Sequence, residues 1–441
     1  MENSFNESKM AAKMEAQTRI HRLSNQISLA TVEMPHMESV GVGIWTEAGS
    51  RHELRNEHGM AHLVEHLLFK GTPDRSAMDI SRQVERLGAS IDAFTVEDHT
   101  CYHSRCPGEN AMDLLDVMSD LYQHPVFDAK ELESEKKVIR EEIAMVHDNP
   151  SQMLEDLISE AVWGEEHPLG RTITGTEESL GAFSRDAVFD FFQRAYSGRQ
   201  TVISVAGKID HQQIADAIEA RFGQLNAGDP LTCEAAPGIS SGTGFEEMDD
   251  REQSHLAVAF RAADRYDPDR FSQKILNVLL GENMSSRLFQ QLREELGLCY
   301  EVQSETIAFS DAGMLQVYLA LDPDSLEKAL RSMSNIFDEF CARPPSLTEV
   351  SEAVSYCIGQ SRIHLESVSS QMMWAGECLL SFDKWIDPNT VFKELRAVTP
   401  ESIQKSAQSI FQNEGLSVAL TGPSEAIDLT EAWAADRKIR K

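Results

Sequence analysis

Residues 59–72 read Gly59-Met60-Ala61-His62-Leu63-Val64-Glu65-His66-Leu67-Leu68-Phe69-Lys70-Gly71-Thr72. No Pro or Gly falls between 60 and 70, apolar residues recur at helical spacing, and Gly71 and Pro73 supply a stop, so the stretch is expected to be a helix. Residues four apart on a helix differ by about 40° around its axis, which puts His62 and His66 on one face, a turn apart. Two imidazoles so placed can share a tetrahedral metal. Glu65 falls beside the open side of such a metal, where it could take a proton from a water held there. Five matching residues in a chain with 14 histidines leave a chance match open. Against that, Leu63, Val64, Leu67 and Leu68 make the segment mostly apolar, and ionisable groups in such surroundings need partners.

A catalytic zinc takes three protein ligands and keeps a fourth position for water. The best third candidate lies in residues 131–146, a run without Gly or Pro and with charge pairs at i,i+4, which marks a helix. Val138, Met145 and Val146 are expected to form its apolar stripe, with Glu142 inside that stripe and Glu135 on the same side. Glu141 is rotated about 100° away and reads as a solvated acid. Glu142 is therefore the expected ligand and Glu135 its hydrogen-bonding support. The alternative is that both are surface carboxylates on a charged helix.

The order His-x-x-Glu-His is the inverted-zincin signature, and residues 59–72 resemble the signature of the pitrilysin/insulinase family of metallopeptidases. The chain is most similar to the branch that includes the mitochondrial processing peptidase and its bacterial counterparts. In that family the third ligand is a later Glu, preceded by another Glu seven positions earlier; here 75 residues separate His66 from Glu142, and Glu135 stands at the earlier position. The resemblance implies one zinc per chain, held by His62, His66 and Glu142, with Glu65 catalytic. Asp92-Ala93-Phe94-Thr95 resembles the family's Asn-Ala-x-Thr segment, an edge strand that pairs with an extended substrate. That implies substrate contacts at Ala93 and Phe94, with Phe69 added at the end of the metal helix, and Asp92 replaces the usual Asn. Residues 281–300 resemble the segment in which an Arg and a Tyr seven apart, here Arg293 and Tyr300, reach the active site from the second domain. Both are donors suited to a developing oxyanion. On the residues alone, Arg293 is a helix-surface charge and Tyr300 half-buried.

The 441 residues exceed what one core usually serves. Residues 1–17 read as a mobile leader, 18–225 as the catalytic domain, 226–245, dense in Gly, Pro and Ser, as a linker, and 246–441 as a homologous second domain. Strands are expected at Ile27–Val32 and Val40–Ala48, as a pair leading into the metal helix. Beyond the linker the order of elements repeats: His255–Phe260 resembles Val40–Trp45, a helix at Phe271–Leu280 falls where the metal helix fell, and Leu416–Thr421 repeats Thr201–Ala206. The expected fold class is α+β, with two duplicated domains, each a mainly antiparallel sheet with helices packed on one face. Only the first carries the metal motif.

The charge is lopsided, 72 acids against 40 bases for a net −32. That field disfavours nucleic acid and anionic membrane and favours cationic peptides, although solubility alone also accounts for it. Seven cysteines without CxxC spacing argue against a disulfide framework and fit a reducing compartment. No apolar run is long enough to span a bilayer, and the N-terminus lacks the features of a signal or transit peptide. A cytoplasmic zinc metalloendopeptidase acting on extended or unfolded peptides is the reading these features support together. Because metal motif and Arg/Tyr pair occur in one chain, a homodimer or self-sufficient subunit is expected, a heterodimer with a related subunit being the other arrangement. Two alternatives stand beside it: a non-catalytic structural or partner subunit of a two-chain peptidase-like complex, and a zinc hydrolase acting on something other than peptides.

Overall fold

The computed structural model describes residues 17–248 and 253–439. The expected leader, 1–17, lies outside the described residues apart from Gln17, which opens the first strand. Among the described residues there are eleven strands: β1 (Gln17–Arg22), β2 (Ser28–Glu33), β3 (Ser39–Thr46), β4 (Ser90–Thr95), β5 (Thr100–Pro107), β6 (Thr201–Gly207), β7 (Thr243–Glu247), β8 (Ser254–Ala262), β9 (Cys299–Ala308), β10 (Gly313–Leu321) and β11 (Ser417–Gly422). Helices of the first half are α1 (Met60–Leu68), α2 (Ala77–Arg86), α3 (Ala111–Gln123), α4 (Ala129–Asp148), α5 (Pro150–Trp163), α6 (Glu177–Ala182), α7 (Arg185–Ala195) and α8 (His211–Phe222). Those of the second are α9 (Arg270–Asn277), α10 (Leu326–Ala342), α11 (Leu347–His364), α12 (Val368–Phe382), α13 (Pro388–Ala397), α14 (Pro400–Ile410) and α15 (Ser424–Ile439).

The strands form two sheets, in the orders β1-β2-β6-β3-β5-β4 and β7-β11-β8-β10-β9. In both, a parallel pair (β2 with β6, β7 with β11) is followed by antiparallel pairings only. From β2 and β7 onward, one order superimposes on the other, which is the expected duplication. A glycine recurs at matching places as well: Gly88, after α2 and before β4, and Gly297, after the helical turn Phe289–Glu295 and before β9, both have left-handed φ, +68° and +61°. One expectation is corrected. β2 and β3 are not paired with each other, because β6 lies between them; alternation identifies a strand but not its neighbour, and β6 arrives from 155 residues beyond β3.

Two compact units result, and they do not follow chain order. The first comprises residues up to Glu142, Thr172–Cys233 and Arg362–Ile386; the second comprises Ile143–Arg171, Glu234–Ser361 and the remainder from Asp387. The sheets respect the division of the chain near 226–245, save that β7 begins at Thr243. The helices do not: α12 belongs to the first unit and α5 to the second. Each sheet is covered on both faces, where helices on one face were expected. In the first unit α1, α3 and α8 lie against one face, and Val368, Met372, Ala375 and Leu379 of α12 pack on Ala30, Val32, Trp45, Val202 and Ala206 on the other. In the second, Leu154, Ile158, Ala161 and Val162 of α5 pack on Ala257, Ala259, Met314 and Ala419. The opposite face, with Leu256, Val258, Phe260, Leu315, Val317 and Leu319, meets α10 and α14. The physical sign is in the central strands: β6 is buried at every position, as a strand with two covered faces must be.

Small residues let α12 lie close. Trp45 is fully buried under it, and a Cβ at Gly376 would strike the Trp45 ring, while one at Gly43 would strike that ring and the Met372 sulfur. Gly359 in α11 has no such neighbour. Alanine is the better helix former at both helical sites, so the two substitutions should diverge. Gly359→Ala is expected to stabilise by about 0.5–1 kcal/mol and Gly376→Ala to destabilise by roughly 1–3 kcal/mol through overpacking, read from urea unfolding of the full chain.

Candidate metal centre

Helix α1 is held firmly at its start. Gly59 precedes it with φ +90°, and a side chain there would meet Gly175 Cα and Thr174 O at 2.7 Å, so the left-handed backbone and the close approach both require glycine. The buried Glu53 carboxylate accepts hydrogen bonds from the backbone N–H of Gly59 (2.9 Å) and Ala61 (2.7 Å), placing an anion at the positive end of the helix. Leu63, Val64, Leu67 and Leu68 are sealed in the core, at 0–1% exposure. With that face fixed, His62, Glu65 and His66 are carried on the opposite side.

Their surroundings supply partners. The imidazoles of His62 and His66 stand 4.6 Å apart, and Glu142 Oε2 lies 3.9 Å from His62 Nε2 and 3.7 Å from His66 Nε2. Among the described residues these three are the group of His, Cys, Asp or Glu side chains whose ligand atoms come close enough to hold a metal, all within 4.8 Å of one another. Bonds of about 2.0–2.1 Å to a tetrahedral zinc put ligand atoms about 3.3 Å apart, so the donor set fits with a small contraction. His66 Nδ1 is 3.2 Å from Glu135 Oε2, whose other oxygen is 2.7 Å from Lys70 Nζ. The Glu135 carboxylate is placed to accept a hydrogen bond from Nδ1–H, the tautomer that leaves Nε2, on the Glu142 side, free to ligate a metal. Burial, and then the neighbouring His66, pushes His62 down to about 4, so it is a neutral imidazole at ordinary pH.

Glu65 is 9% exposed, and its Oε2 accepts the Thr95 hydroxyl at 2.5 Å. Burial raises its carboxyl above the ordinary range; the Thr95 hydrogen bond and His66 oppose the rise, and Glu142 adds to it.

The helix bearing Glu142 packs differently from the expectation. Its buried residues are Leu132, Glu135, Lys136 and Ile139, whereas Val138 and Met145 are 42% and 68% exposed. The packed face runs 132–135–139, and Glu142 continues it by one further turn; Val138 and Met145 are displaced to the solvent side. Glu141 is exposed, as its position implies.

The expected substrate residues separate. β4 is the edge strand of its sheet. Ala93 and Thr95 share a face, and it is the face of Glu65. Phe94, which pairs with Cys101, packs on the opposite face with the α12 cluster and is not brought to the metal centre. Asp92 pairs with His103. Phe69 caps the end of α1, its ring 6.0 Å from that of Tyr102. In the second unit the Arg293 guanidinium lies 4.8 Å from the Phe289 ring and 5.6 Å from the Tyr300 ring, on a π-helical turn, Phe289–Glu295; Tyr300 is 74% exposed. Sequence reasoning missed Glu53, Lys70 and Thr95. For Thr95, the period of two from Ala93 was an available signal; for Glu53 there was none beyond an acid shortly before a helix.

Residues 28–177 match the family described as "Insulinase (Peptidase family M16)", and residues 182–356 match "Peptidase M16 inactive domain". The chain is 34% identical over 402 residues to the uncharacterized zinc protease YmxG of Bacillus subtilis, spanning 91% of this chain and 97% of that one. The chain belongs to the insulinase family, peptidase family M16. It is also 30% identical to an uncharacterized zinc protease of Streptomyces coelicolor, over 91% of this chain and 88% of that one. Two solved structures share the fold at a TM-score of 0.86: a protease from Helicobacter pylori (18% identity, covering 92% of this chain and 100% of that one) and a peptidase M16 inactive domain from Pseudomonas fluorescens (19%, 92% and 98%).

For this M16 chain, Glu135→Ala leaves Lys70 and His66 Nδ1 without their carboxylate. Zinc affinity is expected to fall roughly 10–100-fold in a competitive chelator titration, while Glu141→Ala, on the solvent side of the same helix, leaves it unchanged.

Proposed function

We propose that the chain is a zinc metalloendopeptidase that cleaves extended or unfolded peptides. The observation that carries this reading is the convergence of His62, His66 and Glu142 with a buried carboxylate, Glu65, one residue from a ligand and anchored by a single oxygen. Zinc bound by those three residues supplies a Lewis acid that polarises a carbonyl and lowers the pKa of a water toward neutrality. Glu65, its carboxyl raised by burial, is suited to accept that water's proton and return it to the leaving amine. The exposed edge of β4, with Ala93 on the Glu65 face, offers backbone groups to an extended peptide. On the family resemblance, Arg293 and Tyr300 are donors to the substrate carbonyl oxygen.

The net charge of −32 supports cationic peptides as preferred substrates. Cys106, Cys299, Cys341, Cys357 and Cys378 are pushed up to about 11 by burial, which keeps them protonated; it is their being free thiols that supports a reducing, cytoplasmic setting. Among the described residues no helix is long and apolar enough to cross a membrane. A homodimer or self-sufficient subunit follows from the presence of the metal motif and the Arg/Tyr pair in one chain. The non-catalytic alternative has less support, since His62, Glu65, His66 and Glu142 are all present; the match to an "inactive domain" falls mostly on the half without the motif.

Purified wild type should carry about one zinc per chain and cleave a quenched fluorescent peptide library, losing activity to a chelator and regaining it with zinc. Glu65→Gln should keep the metal and lose at least about 100-fold in turnover. Zinc binding without cleavage in the wild type would instead support a partner subunit, and cleavage of small esters but not peptides would support the other hydrolase reading.

A further inference from the structure

Thr95 ends β4, and its hydroxyl makes the one side-chain hydrogen bond that Glu65 has among the described residues. A hydroxyl has one proton, so a Thr95 that donates to the carboxylate can only accept from elsewhere. Thr100 Oγ1 is 3.2 Å behind it. The Tyr102 hydroxyl, on the residue that pairs with Ala93, lies 2.7 Å from the Tyr196 hydroxyl in the same buried layer. Thr100 donates its proton to the carbonyl oxygen of Ala48 at 2.9 Å, which fixes the hydroxyl that Thr95 rests against. Thr100 is 0% exposed, so its hydroxyl has no water to compete for its bond and little freedom to move.

We propose that Thr95 is a positioning residue for Glu65: its hydroxyl, held against the buried Thr100 side chain, keeps Oε2 in place so that Oε1 is the oxygen presented for proton transfer. The inference rests on the peptidase reading for its effect on turnover, but not for its effect on the side chain. A carboxylate tethered through one oxygen keeps one rotamer, whereas an untethered one samples several. Because Thr95 touches none of the metal-binding side chains, its loss acts on orientation and leaves the donor set whole.

The test compares Thr95→Val, which keeps the shape and removes the hydroxyl, with Thr95→Ser, which keeps the hydroxyl and removes the methyl; Thr95→Ala serves if the valine variant does not fold. Zinc content, kcat and KM, and the Glu65 side chain in crystal structures are measured for each. Thr95→Val should lower kcat roughly 10–100-fold, with KM within about twofold and zinc unchanged, and should show Glu65 moved or in more than one conformer. Thr95→Ser should restore most of the turnover and the single conformer. Equal kcat in Thr95→Val and wild type, an equal loss in Thr95→Ser, or an unmoved Glu65 without the hydroxyl would overturn the proposal. Should the wild type cleave no peptide, the peptidase reading fails by itself, and the Glu65 conformation still decides the role of Thr95.

Discussion

Ionisable groups on a helix whose other face is buried have to be compensated where they stand, and this requirement organises the first unit. α1 presents Leu63, Val64, Leu67 and Leu68 to the core and His62, Glu65 and His66 away from it, with little solvent on either side. These three groups draw on two other elements. Glu65 needs the end of β4, through Thr95; His66 needs α4, through Glu135, which in turn takes Lys70 from just beyond α1; and His62 faces Glu142, one turn past the packed face of α4. The desolvation cost of one helix thus fixes the positions of an edge strand and a second helix. Glu53 and Gly59 set the origin from which those positions are measured.

The same economy of packing explains the exchange of helices. A six-stranded sheet whose central strands are apolar on both faces cannot be left with one face open. The first half of the chain supplies α1, α3 and α8 for one face, and the helix that follows α4, which could have covered the other, belongs to the second unit. Its counterpart α12 returns from the second half. Since α5 and α12 hold matching places in the two copies, the exchange is part of the repeat. The unit with the candidate metal centre consequently depends on a helix that begins 302 positions after His66 and 226 after Glu142, although no residue of α12 belongs to the donor set.

What the sequence revealed and what it hid divide along the range of the forces involved. The helix at 60–68, the shared side of Glu135 and Glu142 and the order of the duplicated strands all follow from local periodicity or from likeness between stretches, and they were legible. Strand neighbours were not, because β6 enters between β2 and β3 from far along the chain. The apolar stripe of α4 was misread for a related reason: Val138 and Met145 are apolar yet solvent-facing, and the packed side includes Glu135 and Lys136, whose burial makes sense only once His66, Lys70 and the Phe183 carbonyl are beside them. Phe94 shows the same limit on a strand. Alternation implied two faces, but which one met the metal helix depended on α12 arriving on the other.

The second unit shows what the first would be without its charges. There the helix in the place of α1 is α9, continued by a π-helical turn, Val278–Glu282. It too is tied to the edge strand by a hydroxyl, since Ser304 of β9 donates to Asn277 Oδ1 at 2.7 Å, and Asn277 in turn donates to Glu282, which Lys274 neutralises. A hydroxyl bridge from edge strand to this helix therefore belongs to both copies as a structural tie. What differs is the acceptor. In the second unit it is a neutral amide with its hydrogen-bonding capacity largely spent within the helix; in the first it is a carboxylate with one oxygen engaged and one left over, beside two imidazoles and a third donor. A tie that stabilises either unit becomes, in the first alone, a constraint on a group that can carry a proton.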